Sequence, residues 1–554
     1  MNKLKPKLFS VMKQYTKKQF FKDVIAGIIV AIIALPLSIA LAIASGVSPE
    51  RGIYTAIVAG FVVSFLGGSR VQITGPTAAF ATIVAGIVAR NGMDGLVLAT
   101  LMAGTILVIM GLLRFGSLLR YIPKTITTGF TAGIAVTIII GQFKDFLGLT
   151  FNSKPVETID KLIECFKSAG SLNWQAALVG VICLAILIFW PKISGKIPGS
   201  LIAVVVSSII VKVFGMDVNT IGSLYDISNQ LPTFSLPVIS ISSVGSLLPD
   251  AITIAILAGV ESLLSCVVSD GMIGSRHRSN MELVAQGAGN VASALFGGIP
   301  ATGAIARTAA NVKNGGRTPI AGMVHSVVLV LVLVVLMPYA AMIPMPAIAA
   351  ILFIVAYNMS EWREVVSIVK TAPKSDILVL LVTFILTVVF DLVIAIEAGI
   401  VISAFLFMKR MADETRIKSW KYIDIDRDEI ENDKDSIALK VVPKHTMVYE
   451  ISGPLFFAAT QQFMNITTDP KLCSIILRMR SVPAMDITAL DSLKKVHDRC
   501  LKNNITLIFS HVQSQPMEMM KKAGFYNAVG MENFCPNIDT ALERASLLLA
   551  ERQS

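Results

Sequence analysis

Between residues 23 and 410 the chain carries about fourteen apolar stretches, each measured against the ~20 residues that cross a bilayer. Their centres fall near positions 33, 59, 82, 104, 132, 181, 206, 258, 289, 308, 329, 350, 382 and 400. Glycine and proline interrupt several of them, notably around 82 and 308. The turns at 143–173 and 215–247 are long and polar enough to be exposed loops. Residues 1–22 are basic and amphipathic, without the apolar core and small-residue cleavage site of a signal peptide, and read as an interfacial helix. After residue 410 the pattern changes. A charged linker is expected at 411–436. From 437 to 554 short strands (TMVYEISGPLFFA, SIILRMR, ITLIFS) alternate with helices, the first starting at Asp486, which is the pattern of one small α/β domain.

The interrupted stretch at 297–316 reads GGIPATGAIARTAANVKNGG. Backbone broken inside lipid must be satisfied by protein or by a water-filled cavity. A half-helix starting near Thr302 would aim its free N–H groups and positive dipole end at whatever precedes it, which favours an anion. Arg307 stands about one turn further on, and a charge inside a span is a functional candidate by default.

The first and eighth stretches look alike. Asp23 stands near the start of one and Asp250 near the start of the other. Thr74 follows the first by about 51 residues and Thr302 follows the second by about 52. Interrupted segments at matching places in two halves point to a transporter with inverted repeats, about 23–214 and 248–410, with the substrate between two half-helix N-termini at mid-membrane. Seven spans in each half make the repeats inverted.

The composition agrees: 54% of the residues are apolar and 15% are charged, against about 25% charged in soluble domains. The net charge of +11 does not point to nucleic acid, because basic loops account for it. Arg70, Arg114, Lys192, Arg276, Arg278, Lys313, Arg317 and Lys409 fall on the side of the N-terminus. The positive-inside rule then puts both ends in the cytoplasm of a multi-pass inner-membrane protein. Six cysteines without CxxC spacing or histidine partners predict free thiols and no zinc.

Glu261 lies mid-span, where a carboxylate costs about 2.5–3.5 kcal/mol. It is a candidate proton carrier, a sodium ligand together with hydroxyls and carbonyls, or the ion-pair partner of Arg307. Ser265 lies one turn on, along the same face. Pro36 is expected to break the first span. Ser38 and Thr77 could each offer a hydroxyl to the anion or bond their own helices. His325 reads as a satisfied structural histidine. Asp391 reads as a solvated end charge. No nucleophile–base grouping, phosphate loop or paired metal ligands is present, so neither an enzyme nor an ATP-driven pump is expected.

The stretches DVIAGIIVAIIALPLSIALAIASGVSPERGIYTAIVAGF, GGSRVQITGPTAAF, GFTAGIAVTI, ELVAQGAGNVASALFGGIPATGAIARTAANVKNGG and MDITALDSL together resemble the SulP anion permeases. These carry a cytoplasmic STAS domain. The likeness is nearest to the DauA-type dicarboxylate permeases, through ALPLSIALAIASGVSP and TGPTAAF. The resemblance implies seven plus seven inverted spans divided into core and gate domains, and a homodimer. It implies substrates of the sulfate, bicarbonate or C4-dicarboxylate class, moved with H+ or Na+ or by exchange. The implied anion site comprises Pro36, Leu37 and Ser38; Gly75, Pro76 and Thr77; and Ala304, Ile305, Ala306 and Arg307. Glu261 takes the coupling role, with Ser265 and Thr302 beside it. Many members carry glutamine where this chain has Leu37. The domain's Asp-x-Ser phosphosite falls on Asp486 and Thr488, where a surface for a cytoplasmic protein partner is the simpler reading. An anion channel or sensor signalling through the STAS domain is the competing function. A nucleobase permease is a weaker one, because Arg307 occupies the place where a second acid is expected.

Overall fold

The computed structural model describes residues 4–117, 123–153, 155, 157–193, 198–237, 241–390, 392–414, 416–420, 440–456, 466 and 469–553; Asp391 lies outside them. The chain divides into two units, residues 1–401 and 402–554.

The first unit is helical: α1 (Lys17–Ala44), α2 (Pro49–Leu66), α3 (Ala78–Leu112), α4 (Lys124–Leu147), α5 (Trp174–Ile193), α6 (Gly199–Phe214), α7 (Ile241–Ile273), α8 (Ser279–Leu295), α9 (Ile305–Lys313), α10 (Ile320–Ala340), α11 (Met345–Met359) and α12 (Lys374–Val389). Helix α13 (Leu392–Glu414) continues beyond it. All fourteen expected centres fall in these helices. Helix α3 holds two, because the backbone leaves the helical region at Gly92 (φ 67°). Its first part, residues 78–91, is about 21 Å long at 1.5 Å per residue. Helix α9, with 9 residues, spans about 14 Å. Neither crosses the ~30 Å hydrocarbon core alone.

Two residues precede each of these short helices as a strand, β1 (Thr74–Gly75) and β2 (Thr302–Gly303). They pair antiparallel, Thr74 opposite Gly303 and Gly75 opposite Thr302, and Ala304 N extends the pairing to Ile73 O at 2.9 Å. The interruptions in the two halves therefore meet head to head. Helix α3 lies close enough to α8 that a Cβ on Gly104 would sit 2.7 Å from the carbonyl oxygen of Gly287. Small residues permit such approach where lipid offers no hydrophobic drive between helices.

Pro36 corrects one expectation. Helix α1 runs unbroken through it for 28 residues. A proline removes one N–H and leaves the carbonyl four residues back without its helical donor. Burial of Pro36 and Ser38 against neighbouring helices holds the helix on course.

The second unit is a five-stranded sheet in the order β3 (Arg416–Trp420), β4 (Thr446–Ser452), β5 (Ser474–Ser481), β6 (Thr506–Ser510) and β7 (Phe534–Cys535). The first pair is antiparallel and the others are parallel. Strand β3 lies inside the stretch expected to be linker; residues 421–439 lie outside those described. Alternation sorts the side chains. Tyr449, Leu477 and Phe509 face a core shared with Leu490, Leu493 and Val496 of α14 (Ile487–Lys502). Val448, Ile476 and Ile508 face Ile538, Ala541 and Leu542 of α16 (Ile538–Gln553). Between them runs α15 (Ser514–Lys522). The sheet thus has helices on both faces.

Candidate functional site

The loops that enter β1 and β2 would leave backbone groups unpaired in a dry interior. One face of α8 supplies the partners, with Glu282, Gln286 and Asn290 four residues apart. Glu282 Oε2 accepts from Gly68 N (2.8 Å) and Ser69 N (3.0 Å). Its Oε1 accepts from Gln72 Nε2 (2.9 Å) and Gln286 Nε2 (3.2 Å). Gln286 also donates to Thr74 Oγ1 at 3.0 Å. Asn290 bonds Ala301 through both its amide atoms. These three residues went unassigned in the sequence, although their spacing of four is a helical face signal.

Helix α7 holds the other half. Thr302 Oγ1 lies 2.8 Å from Ser262 Oγ and donates to Ala258 O at 3.0 Å. Gly303 N donates to Ser262 Oγ. Ser265 Oγ meets Thr308 Oγ1 at 3.3 Å, and Thr308 Oγ1 accepts from Ile73 N. Thr302 and Ser265 are thus both buried and bonded within the scaffold.

Helices α3 and α9 start without side-chain caps at Thr77 and Ala304. Their first amides and positive dipole ends face the same place. A cavity of about 1140 Å³ touches this region through Ile305; Glu261, Val260, Phe130, Lys124, His277 and Glu364 are among its other lining residues. Ile305 and Ala306 are exposed, and Ala304 is buried. Glu261 is half-buried; its Oε2 accepts from Thr77 Oγ1 at 3.1 Å. The first half-helix and the mid-span carboxylate are therefore joined by one hydrogen bond, and the second half-helix is tied to the first by the β1–β2 pairing.

Arg307 sits elsewhere. It is 3% exposed, its Nη2 donates to Pro76 O, and its Nη1 has no partner. A Cβ on Gly75 would lie 2.5 Å from that Nη1. The guanidinium thus lies behind β1, and the ion pair with Glu261 that the sequence left open does not form. Of the implied anion-site residues only Ile305 lines the cavity; Pro36, Leu37, Ser38, Gly75, Pro76, Thr77, Ala304, Ala306 and Arg307 do not, and Ser38 Oγ is buried and unbonded. His325 is fully buried with neither ring nitrogen bonded, so it is not the satisfied histidine expected. Among the described residues no cluster of three or more His, Cys, Asp or Glu could hold a metal.

In the second unit Thr488 is exposed in the first turn of α14. The side chain of Asp486 caps that helix at Ala489 N, 2.8 Å away.

Residues 20–383 match the sulfate permease family. The chain belongs to that family. Residues 436–541 match the STAS domain. This sulfate permease family member is 41% identical to the putative sulfate transporter YvdB of Bacillus subtilis over 95% of this chain and 98% of the other. It is 27% identical to the bicarbonate transporter BicA of Picosynechococcus, over 96% and 97%. Its fold matches that of SLC26A9, with a TM-score of 0.87 at 19% identity, covering 99% of this chain and 93% of that one. The transmembrane domain of a cyanobacterial BicA matches with a TM-score of 0.62 at 29% identity, covering 69% and 98%. The mostly helical transporter fold with a C-terminal α/β domain is thus the one expected.

Proposed function

We propose that this protein is a secondary active transporter of a small oxyanion of the sulfate class, with Glu261 carrying a coupling proton or sodium ion. The observation that carries the reading is the pair of uncapped half-helix starts, locked together by β1 and β2, beside a large cavity that Ile305 of one and the Thr77-bonded Glu261 line. Uncapped amides suit a tetrahedral or planar oxyanion, because several N–H donors can share its oxygens. Arg307 acts at one remove: its charge behind β1 raises the local potential without touching the anion.

Glu261 has no cation within ion-pair reach among the described residues, and its one described partner is the hydroxyl of Thr77. A carboxylate on a cavity wall without a counter-ion is suited to take up and release a cation in step with the anion. Thr77 stands at the start of α3 and gives its hydroxyl to Glu261 rather than to the helix, so a change at Glu261 reaches the start of that half-helix directly.

The lining residues Lys124, His277 and Glu364 lie on the face of the basic loops. The positive-inside rule makes this the cytoplasmic face, so the cavity is the inward-open state. Sulfate is favoured by the likeness to YvdB, and bicarbonate by the likeness to BicA. C4-dicarboxylates enter through the sequence resemblance to DauA-type permeases. A homodimer with both termini in the cytoplasm completes the proposal.

The test is uptake of labelled sulfate, bicarbonate and succinate into proteoliposomes, with imposed pH or sodium gradients. Concentrative uptake of one anion, driven by one gradient, is expected. Flux that only follows the anion's own gradient, at channel-like rates, would replace the transporter with the channel reading.

A further inference from the structure

A second, separate cleft of about 400 Å³ lies where the N-terminal segment packs on the membrane unit. Lys7, Arg70 and Arg317 line it together with Ser10, Tyr15 and Thr16. None of these residues lines the transport cavity.

The segment is fastened rather than loose. Lys7 N donates to Gly67 O at 2.8 Å, and Lys7 Nζ donates to Arg276 O at 2.8 Å. Arg278 Nη1 donates to Lys5 O and its Nη2 to Ser10 Oγ. These bonds bring Lys7 and Arg278 together, near Arg70 and Arg317. Among the described residues, Lys7, Arg70, Arg278 and Arg317 have no carboxylate within ion-pair distance. The nearby acids are engaged: Asp23 accepts from Tyr15, Gln19, Arg317 N and Thr318, and Asp270 holds His277. Arg317 Nη1 is spent on the carbonyls of Val312 and Gly316. Arg70 Nε is buried with no partner at all. Burial, then the charges of Arg278 and Arg70, hold the Lys7 ammonium below the usual lysine range.

We propose that this cleft binds a phosphate-bearing anion, gripped by Lys7, Arg70 and Arg317 with hydroxyls from Ser10 and Thr16. A multiply charged oxyanion answers these features: it relieves like-charge crowding among the cleft-lining cations and takes the Ser10 and Thr16 hydroxyls as donors to its oxygens. Two sources supply that chemistry, a free phosphate and the headgroup of an anionic lipid. The second has a structural companion, because Phe9, Met12, Phe20 and Phe21 on the same segment are exposed, as in an interfacial helix. Arg317 lies just past α9, so an occupied cleft would staple the N-terminal segment to the base of a substrate-facing half-helix.

Hydrogen exchange of the full chain in nanodiscs, read on residues 5–19, tests this locally. Inorganic phosphate is compared with potassium chloride of equal ionic strength, and phosphatidylglycerol with phosphatidylcholine. Slower exchange with phosphate in phosphatidylcholine discs assigns a free anion. Slower exchange only with phosphatidylglycerol assigns a headgroup. In Arg70→Gln and, separately, in Lys7→Gln, the phosphate or lipid fraction giving half-protection should rise about ten-fold, the size of one lost charge-assisted hydrogen bond. Arg70→Lys, which keeps the charge and the docking, should protect with a smaller loss. No protection by either source, or equal protection in wild type and both glutamine variants, overturns the proposal.

Discussion

Arg90 Nη2 donates to both carboxylate oxygens of Asp250, at 3.0 and 3.2 Å. Arg90 ends the first half-helix, and Asp250 stands in the opening turns of α7 in the other repeat. The counterpart is Asp23 of α1, which accepts from Arg317 N at 2.9 Å and from Thr318 Oγ1 at 2.6 Å, just past α9. Asp23 and Asp250 stand 227 residues apart, and so do Arg90 and Arg317. Each repeat's first helix therefore clasps the end of the other repeat's half-helix. This exchange, with the β1–β2 pairing, fixes where the two half-helix starts lie.

The two clasps should differ in strength. Asp23 is fully buried and also accepts from Tyr15 and Gln19. Removing a buried acceptor strands its donors, at about 1–3 kcal/mol each. Asp250 is itself 8% exposed, but the side chain of its partner Arg90 is 51% exposed, so loss of the carboxylate leaves that donor within reach of solvent rather than stranded. Thermal unfolding in detergent should therefore show a large fall in midpoint for Asp23→Leu and a small one for Asp250→Asn. Equal falls would show that burial does not set their weight.

Gly75 should be intolerant where Gly86 is not. A Cβ at Gly75 meets Arg307 Nη1 at 2.5 Å, so Gly75→Ala must move a buried guanidinium, and overpacking costs about 1–3 kcal/mol. A Cβ at Gly86, in the same half-helix, meets nothing closer than 3.9 Å. Anion uptake by Gly75→Ala is expected to drop about ten-fold or more at normal expression, while Gly86→Ala keeps wild-type rates. Wild-type uptake by both would remove Arg307 from the mechanism.

The spans, the breaks at 74–78 and 302–305 and the internal repeat were legible because they are properties of local hydropathy and spacing. The unbroken α1 was not, since whether a proline bends a helix depends on neighbours that sequence does not show. Arg307 was correctly marked as unusual, but its direction was not legible. A residue one turn into a half-helix can point into the cavity or behind the strand, and only the pairing of β1 with β2 decides. Strand β3 was hidden by charge, because Arg416 and Lys418 alternate with Ile417 and resemble a linker. Glu282, Gln286 and Asn290 carry a helical spacing, but nothing in the sequence says which loops that face supports.

Glu261→Gln should separate binding from coupling. The amide keeps the size of the side chain and an oxygen for Thr77 Oγ1, and it cannot take up a proton at transport pH. Anion exchange down a gradient is expected to persist, and accumulation driven by a pH or sodium gradient to vanish. Unchanged concentrative uptake in proteoliposomes would move the coupling role to another residue. Thr77→Val, which leaves Glu261 without its described partner, should weaken accumulation while leaving some of it.

Glu282 makes the sharpest demand on a single atom type. Its two oxygens each face two donors: Gly68 N and Ser69 N on one side, the amides of Gln72 and Gln286 on the other. A glutamine there turns its NH2 either toward the backbone N–H groups of Gly68 and Ser69, which cannot become acceptors, or toward the amides of Gln72 and Gln286, which must then flip and disturb the bond to Thr74; each buried unsatisfied group costs about 1–3 kcal/mol. Because Gln286 also holds Thr74, the damage passes to β1. Glu282→Gln is therefore expected to lower the unfolding midpoint as much as Glu282→Leu does, despite being closer in shape. It should also speed hydrogen exchange at residues 68–75 before global unfolding. If Glu282→Gln instead unfolds like wild type, the register of β1 is held by other contacts, and the carboxylate is free for a role in transport.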